Sequence, residues 1–393
     1  MLHILIGGAG CGKSTCLIQH LQKQLKAGEQ ILTLVPEQFS YEFDQKLYRI
    51  LGPVAFNQLE THSFKSLARA VFQRFGCVPD GKTNADELTK MALLYQAVLQ
   101  VSEREKKLQL LGKQCRQASF VSELAMMFTQ FRRSGIPPEQ LYNSSAELNG
   151  RLQEKMMDVF EIYQRYDQLL EQHQLKDTET DLSEAAAIAN GHDAFLGDVI
   201  FLDEFESFTE DEYQMLSVLL SSGKDLYIAL RMEHTRKEPF SLFAAVQETF
   251  CKIQDMAKKL RIPVETEVCD TPYRFQAAEL SWLNQHVFRN TPPFSGEAPH
   301  LHILEAQSPT EEVDYVCATI RRLLAKDHTL RCRDIAVLSN QMTDYRSILE
   351  TAMERYKLPY YMDEKESMLY TPLLVYLHTL LGFCGKPVRT QNC

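Results

Sequence analysis

The stretch that decides the fold is Gly7–Thr15, GGAGCGKST, which follows the apolar run LHILI at residues 2–6. Gly7, four residues, then Gly12-Lys13-Ser14 match the pattern GxxxxGK[ST]. Each position has a chemical reason. Glycines let successive backbone N–H groups turn toward phosphate oxygens. The Lys13 ammonium reaches the β- and γ-phosphates, and the Ser14 hydroxyl suits Mg²⁺. The helix that starts here adds the positive end of its dipole. The nucleotide-binding set is therefore Gly7, Gly8, Ala9, Gly10, Cys11, Gly12, Lys13, Ser14 and Thr15, with ATP and Mg²⁺ as the expected ligands. The bland alternative is a glycine turn that binds nothing. Its place between a buried strand and a helix argues for the phosphate reading.

Working outward, residues 2–6 read as a strand buried on both faces of a parallel sheet. STCLIQHLQKQLKAG reads as a helix ending at Gly28, and ILTLV (31–35) as a second strand stopped by Pro36. NQLETHSF holds a third strand, which makes this βαβ logic. From Asp80 to Asn190 the apolar residues fall at helical spacing, as in ASFVSELAMMFTQFRRSGI, and predict a helical insertion. Strand signals return at DVIFLDEF (198–205) and DLYIALRM (225–232). TPPFSGEAP (291–299) marks a boundary. After it, LHILEA, DIAVLSN and PYYMD predict strands, alternating with two helices, as the start of a second α/β unit that reads as incomplete. The expected division is 1–79 and 191–290 for one split α/β domain, 80–190 for the insertion and 300–393 for the partial second domain.

A phosphate loop needs an acidic partner at the end of a neighbouring buried strand, to hold Mg²⁺ through water. VIFLDEF supplies Asp203 for the metal and Glu204 as a base that polarises the attacking water, so Lys13 and Glu204 are the catalytic candidates. Thr61, His62 and Ser63 fall at a strand end, where hydroxyls and an imidazole can touch a sugar-phosphate backbone. Ser63 is equally an N-cap for the helix FKSLARAVF. Arg69, Arg74, Arg132 and Arg133 are candidates for a basic track or for solvated helix faces.

Composition sets the outer limits. The 393 residues carry a net charge of −10, which argues against a wholly basic nucleic-acid coat and leaves room for a local basic track. LLVYLHTLLGFC is too short to span a bilayer, and no secretory signal is visible, so the expected location is cytoplasmic with no membrane. Ten cysteines are scattered without a CxxC pair, and their spacing predicts neither a zinc nor an iron–sulfur site.

Six stretches occur in order: GGAGCGKST, LVPEQFSYEF, THSFKSLARAVFQRFG, FLDEFESFTEDE, RDIAVLSN and KLPYYMDEKESMLYTPL. Together they resemble the N-terminal part of the AddB-type family of ATP-dependent helicase/nuclease subunits, and more distantly the UvrD-like superfamily 1 helicases. The resemblance implies a P-loop NTPase of RecA-like fold with a helical insertion, then the start of a second RecA-like domain. It implies a heterodimer with an AddA-type subunit that carries the main motor. The complex would act on single- and double-stranded DNA, processing double-strand ends for recombinational repair. The family's nuclease site and four-cysteine iron–sulfur cluster would lie beyond Cys393, so neither is expected in these residues.

The chain departs from the family where Asp203-Glu204-Phe205 stands in place of a frequent Asp-Gly-Phe, which restores a helicase-like acidic pair. It departs from ordinary helicases where Glu206 replaces a Gln, and LYIALRMEH shows no Gly-Asp-x-x-Gln sensor. No arginine for the γ-phosphate is identified. Such a loop can hold ATP yet turn it over slowly, because transition-state charge is left unneutralised. Three readings follow: a nucleotide-binding, DNA-scanning scaffold of a helicase–nuclease, an autonomous helicase, and an assembly module with a vestigial loop.

Overall fold

The computed structural model describes residues 1–384 apart from 77–81, 105–107, 109, 114–116, 146–148, 178–180, 236–240, 272, 288–290 and 363–370. Part of the motif ending in YTPL (363–370) and the last stretch, 385–393, lie outside the described residues. The chain divides into two compact units, Met1–Ala298 and Pro299–Cys393.

The first unit is α/β. Its strands are β1 (Leu2–Gly7), β2 (Ile31–Leu34), β3 (Leu59–His62), β4 (Thr83–Asn84), β5 (Leu175–Lys176), β6 (Val199–Leu202), β7 (Asp225–Arg231) and β8 (Val264–Val268). Six form one parallel sheet in the order β3-β2-β6-β7-β1-β8. Alternate residues of the central strands feed two cores. Leu2, Ile4 and Ile6 face one side, with Ile200, Leu202, Ile228 and Leu230. Leu5 faces the other, with Val199, Phe201, Tyr227 and Ala229. Both faces are covered, so the strands read as continuous apolar runs.

Helices α1 (Lys13–Lys26) and α2 (Ser40–Leu51) supply the core on the Leu5 side. The short α3 (Pro53–Phe56) packs against α2. Helix α4 (Phe64–Phe75) covers the opposite face. The helices α5 (Glu87–Leu99), α6 (Ala118–Arg133), α7 (Pro138–Ser145) and α8 (Arg151–Gln172) form a separate core of their own around Tyr163 and Phe128. This is the helical insertion, with the two-residue strands β4 and β5 paired at its base.

Helix α9 (Asp181–Gly191) falls, all but its last residue, in the span 80–190 predicted as insertion, yet Ala185, Ala186 and Ala189 pack into the sheet core. Its alanine face fits closely against α4 and α10 (Glu210–Ser222), so the helix belongs to the sheet layer. Helix α11 (Ala244–Lys259) completes that layer, and α12 (Ala278–His286) follows β8. Strand β8 itself is not legible from sequence, because an edge strand written VETEV is half polar.

The second unit corrects the sequence reading. Helices α13 (Pro309–Lys326) and α14 (Met342–Arg355) pack around Cys317 and Ala352, and α15 (Pro372–Cys384) follows. The expected strands at 301–306, 334–340 and 359–363, the last residue of which lies outside the described ones, form no ladder among the described residues. Ile303 and Leu338 are exposed. An apolar alternating run becomes a strand only when a neighbouring backbone takes its hydrogen bonds, and no described residue does so here.

Candidate functional site

The carboxyl ends of β1, β6, β7 and β8 meet the Gly7–Thr15 loop at one cleft. In parallel α/β sheets the ligand crevice lies where crossovers leave for opposite faces. Here α1 leaves β1 on the Leu5 side, and α11 joins β7 to β8 on the Leu2 side.

Gly7 ends β1. A Cβ there would fall 2.4 Å from the Cys269 carbonyl oxygen, so no side chain fits. Gly10 and Gly12 hold φ of 73° and 81°, conformations that glycine adopts without strain. Gly12 caps α1, whose N-terminus carries no side-chain cap. Residues 9–15 line a cleft of about 970 Å³. Lys13 folds back across the loop, and its Nζ donates to the Gly8 carbonyl at 2.8 Å. Burial, and then the Arg231 charge, hold its pKa below the ordinary lysine value. The segment after β8 straps the loop from outside: the backbone N–H groups of Tyr273 and Arg274 both donate to the Gly10 carbonyl.

Asp203 leaves β6 beside the loop and is 4% exposed. Its Oδ1 accepts from the Glu204 backbone N–H at 2.9 Å. Its Oδ2 is buried without a hydrogen-bond partner. Burial raises the carboxyl pKa, and the Ser14 hydroxyl beside it favours the charged form. Glu204 holds φ of 64°, a left-handed conformation that a non-glycine residue rarely adopts. It lines the same cleft as Lys13.

Sequence reasoning missed Arg231. It ends β7 directly opposite Gly7 in the sheet register. Its guanidinium lies 3.7 Å from Glu204 and 3.6 Å from Glu206. The signal is present as a cation closing the apolar run LYIAL, at the strand end where a helicase-type sensor would stand.

The other candidates have structural duties. Thr61 accepts from the Thr33 hydroxyl at 2.8 Å, on the neighbouring strand. His62 lies 3.3 Å from the Ser66 hydroxyl. Ser63 is the N-cap of α4 in a reciprocal capping box with Ser66. Ser63 also lines a second cleft, shared with Glu37, Glu204, Glu206, Glu212 and Arg231, whose charged groups are mostly acidic. Arg74 donates to the Ala194 carbonyl at 3.0 Å. Arg132 is largely buried, paired with Asp167 and lying 3.4 Å from Asp177, so it is an internal ion-pair partner and not part of a surface track. Arg69 and Arg133 are exposed.

A family model described as "ADDB, N-terminal" matches residues 4–284. The chain belongs to that family. Among curated relatives, the ATP-dependent helicase/deoxyribonuclease B-subunit of Clostridium tetani is 28% identical over 98% of this chain and 34% of the relative. The protein of the same name from Natranaerobius thermophilus is 27% identical, over 95% of this chain and 33% of the relative. That of Clostridioides difficile is 26% identical over 97% and 34%. The chain thus spans about a third of the length of the curated relatives it matches. This agrees with the AddB-type resemblance carried by the six sequence stretches. Among the described residues no helix is long and apolar enough to cross a membrane.

Proposed function

We propose that this chain is the helicase-like, nucleotide- and DNA-binding portion of the AddB-type component of an ATP-dependent helicase/deoxyribonuclease. The observation that carries the reading is the meeting of Lys13, Ser14 and Asp203 at the strand ends, with Asp203 Oδ2 buried and unpaired. A buried carboxylate oxygen without a partner suits a metal-bound water. Gly10 and Gly12, at positive φ, let the loop turn its backbone N–H groups toward a phosphate without strain. The residues therefore fit ATP with Mg²⁺: residues 7–15 would cradle the phosphates and Ser14 and Asp203 would hold the metal. The metal's chemistry, when bound, is neutralisation of phosphate charge. Lys13 would exchange its Gly8 contact for a phosphate oxygen, and Glu204 would accept a proton from water.

The strand order supports a RecA-like motor fold. Glu204 is held by Arg231 and in a left-handed backbone, which supports a slow ATPase more than an autonomous helicase. DNA contact, single- or double-stranded, through Thr61, His62 and Ser63 belongs to the same proposal, as do a cytoplasmic location, pairing with an AddA-type subunit and a role in end processing for repair.

The test is nucleotide binding and hydrolysis by the purified chain, with and without single-stranded DNA, beside Lys13→Ala and Glu204→Gln. The expected result is Mg²⁺-dependent ATP binding that Lys13→Ala abolishes, with turnover near background in both wild type and Glu204→Gln. Equal binding by wild type and Lys13→Ala would sink the nucleotide reading. DNA-stimulated turnover that Glu204→Gln abolishes would replace the scaffold with a working motor.

A further inference from the structure

Beside the glycine loop, on the wall of the same cleft, one cluster of donor atoms among the described residues has metal-ligand chemistry. Cys16 and His20 stand four residues apart on α1, one turn above each other on the same helix face. Glu267 and Cys269 stand two residues apart on β8 and its continuation, on the same side of the strand. The two pairs face each other. The Cys16 thiol donates to Glu267 Oε1 at 3.2 Å, and His20 Nε2 lies 3.1 Å from Glu267 Oε2. The donor atoms of Cys16, His20 and Glu267 all lie within 4.8 Å of one another.

We propose that Cys16, His20 and Glu267 form a binding site for a divalent transition metal, zinc first. Zinc takes sulfur, imidazole and carboxylate donors in a tetrahedron. With bond lengths near 2.0–2.3 Å, adjacent ligand atoms in such a tetrahedron lie roughly 3.4–3.6 Å apart. The two observed separations, 3.2 and 3.1 Å, run to the two oxygens of the one Glu267 carboxylate, which sets the thiol and the imidazole on either side of it. The carboxylate now accepts a thiol proton at the position a cation would take, and metal binding would release that proton. Soft thiolates favour zinc over magnesium, which separates this site from the phosphate metal next to it.

The spacing hid this set, because its halves lie about 250 residues apart and neither half forms a CxxC pair. The fold joins them by placing β8 beside β1, and α1 across the same face. The ion would tie α1 to the strap that covers the loop: the Cys269 N–H donates to the Ile6 carbonyl at 2.7 Å, and its own carbonyl abuts Gly7.

The experiment is a zinc titration of the purified chain in competition with a chromophoric chelator, after metal stripping under reducing conditions. Wild type is expected to take one Zn²⁺ per chain with submicromolar affinity. Cys16→Ser and His20→Ala are each expected to weaken binding tenfold or more, and Cys251→Ser, at an exposed cysteine on α11, to leave it unchanged. Circular dichroism checks that each variant is folded. Co²⁺ bound to wild type gives a second reading independent of the variants, a thiolate-to-metal charge-transfer band. Zinc binding that survives both substitutions, wild-type affinity weaker than micromolar, or a Co²⁺ spectrum without thiolate character would each overturn the site.

Discussion

The guanidinium of Arg231 lies 3.7 Å from the carboxylate of Glu204, across the mouth of the cleft that holds Lys13. Both partners are partly exposed, so the pair adds little to stability. Its consequence is electrostatic. Arg231 and Lys13 face one cleft, and the repulsion contributes to holding the lysine pKa down. An anion between them would relieve that repulsion. Arg231→Ala is expected to weaken ATP binding by roughly tenfold, the scale of one charge-assisted contact, while leaving the melting temperature within a degree or so of wild type. Fluorescent-nucleotide titration and thermal unfolding of the same samples check it. Unchanged affinity would remove Arg231 from the site.

Glu204 sits where a glycine would sit without strain, at φ of 64°. For an L-residue the left-handed region costs about 1–2 kcal/mol, and glycine gives back part of that through its larger unfolded-state entropy. Glu204→Gly is therefore expected to be as stable as wild type or more stable, by up to about 1 kcal/mol. Glu204→Ala keeps the strain and gains nothing. Urea unfolding of the three proteins distinguishes these outcomes, and an alanine variant more stable than the glycine one contradicts the strain.

Arg132 joins α6 to α8 and to the segment after β5 through Asp167 and Asp177. Without Arg132, Asp177 keeps Lys90 at 2.7 Å and Asp167 is partly exposed, so the cost is that of a lost charge-assisted contact, about 1–3 kcal/mol. Arg132→Ala should lose stability on that scale. DNA affinity, measured at a salt concentration where the variant stays folded, should not change. A drop in DNA affinity with normal stability would put Arg132 on a binding surface after all.

Burial pushes the Asp167 carboxyl up to about 6, against the opposing pull of Arg132. The folded chain thus binds this proton at a higher pH than the unfolded chain. Its contribution to stability grows as pH falls from about 6 toward the ordinary carboxylate value of 3.8. The urea midpoint of wild type, relative to Asp167→Asn, is expected to be higher at about pH 5 than at about pH 7. Parallel profiles for the two proteins would mean that Asp167 keeps an ordinary pKa.

The Gly7–Thr15 loop, its strand and its helix are legible in the sequence because each is a local signal. An apolar run, a glycine pattern and a 3.6-residue period lie within thirty positions of one another. Asp203 is legible for a similar reason, as the first acid after four apolar residues. The strands read into 300–393 show where local pattern is insufficient. Their apolar residues are real, but a ladder needs a second backbone.

What the sequence determined by itself is the strand–loop–helix order around Gly7–Thr15, the α/β class of the first unit and the helical character of residues 87–172. These rest on periodicity and residue type. The tertiary structure alone decided which distant residues reach that loop. Setting β7 and β8 on either side of β1 brings Arg231 opposite Gly7 and Glu267 against Cys16, across more than two hundred residues of chain. The physical reason is that parallel strands are joined through crossovers, so neighbours in the sheet are remote in sequence.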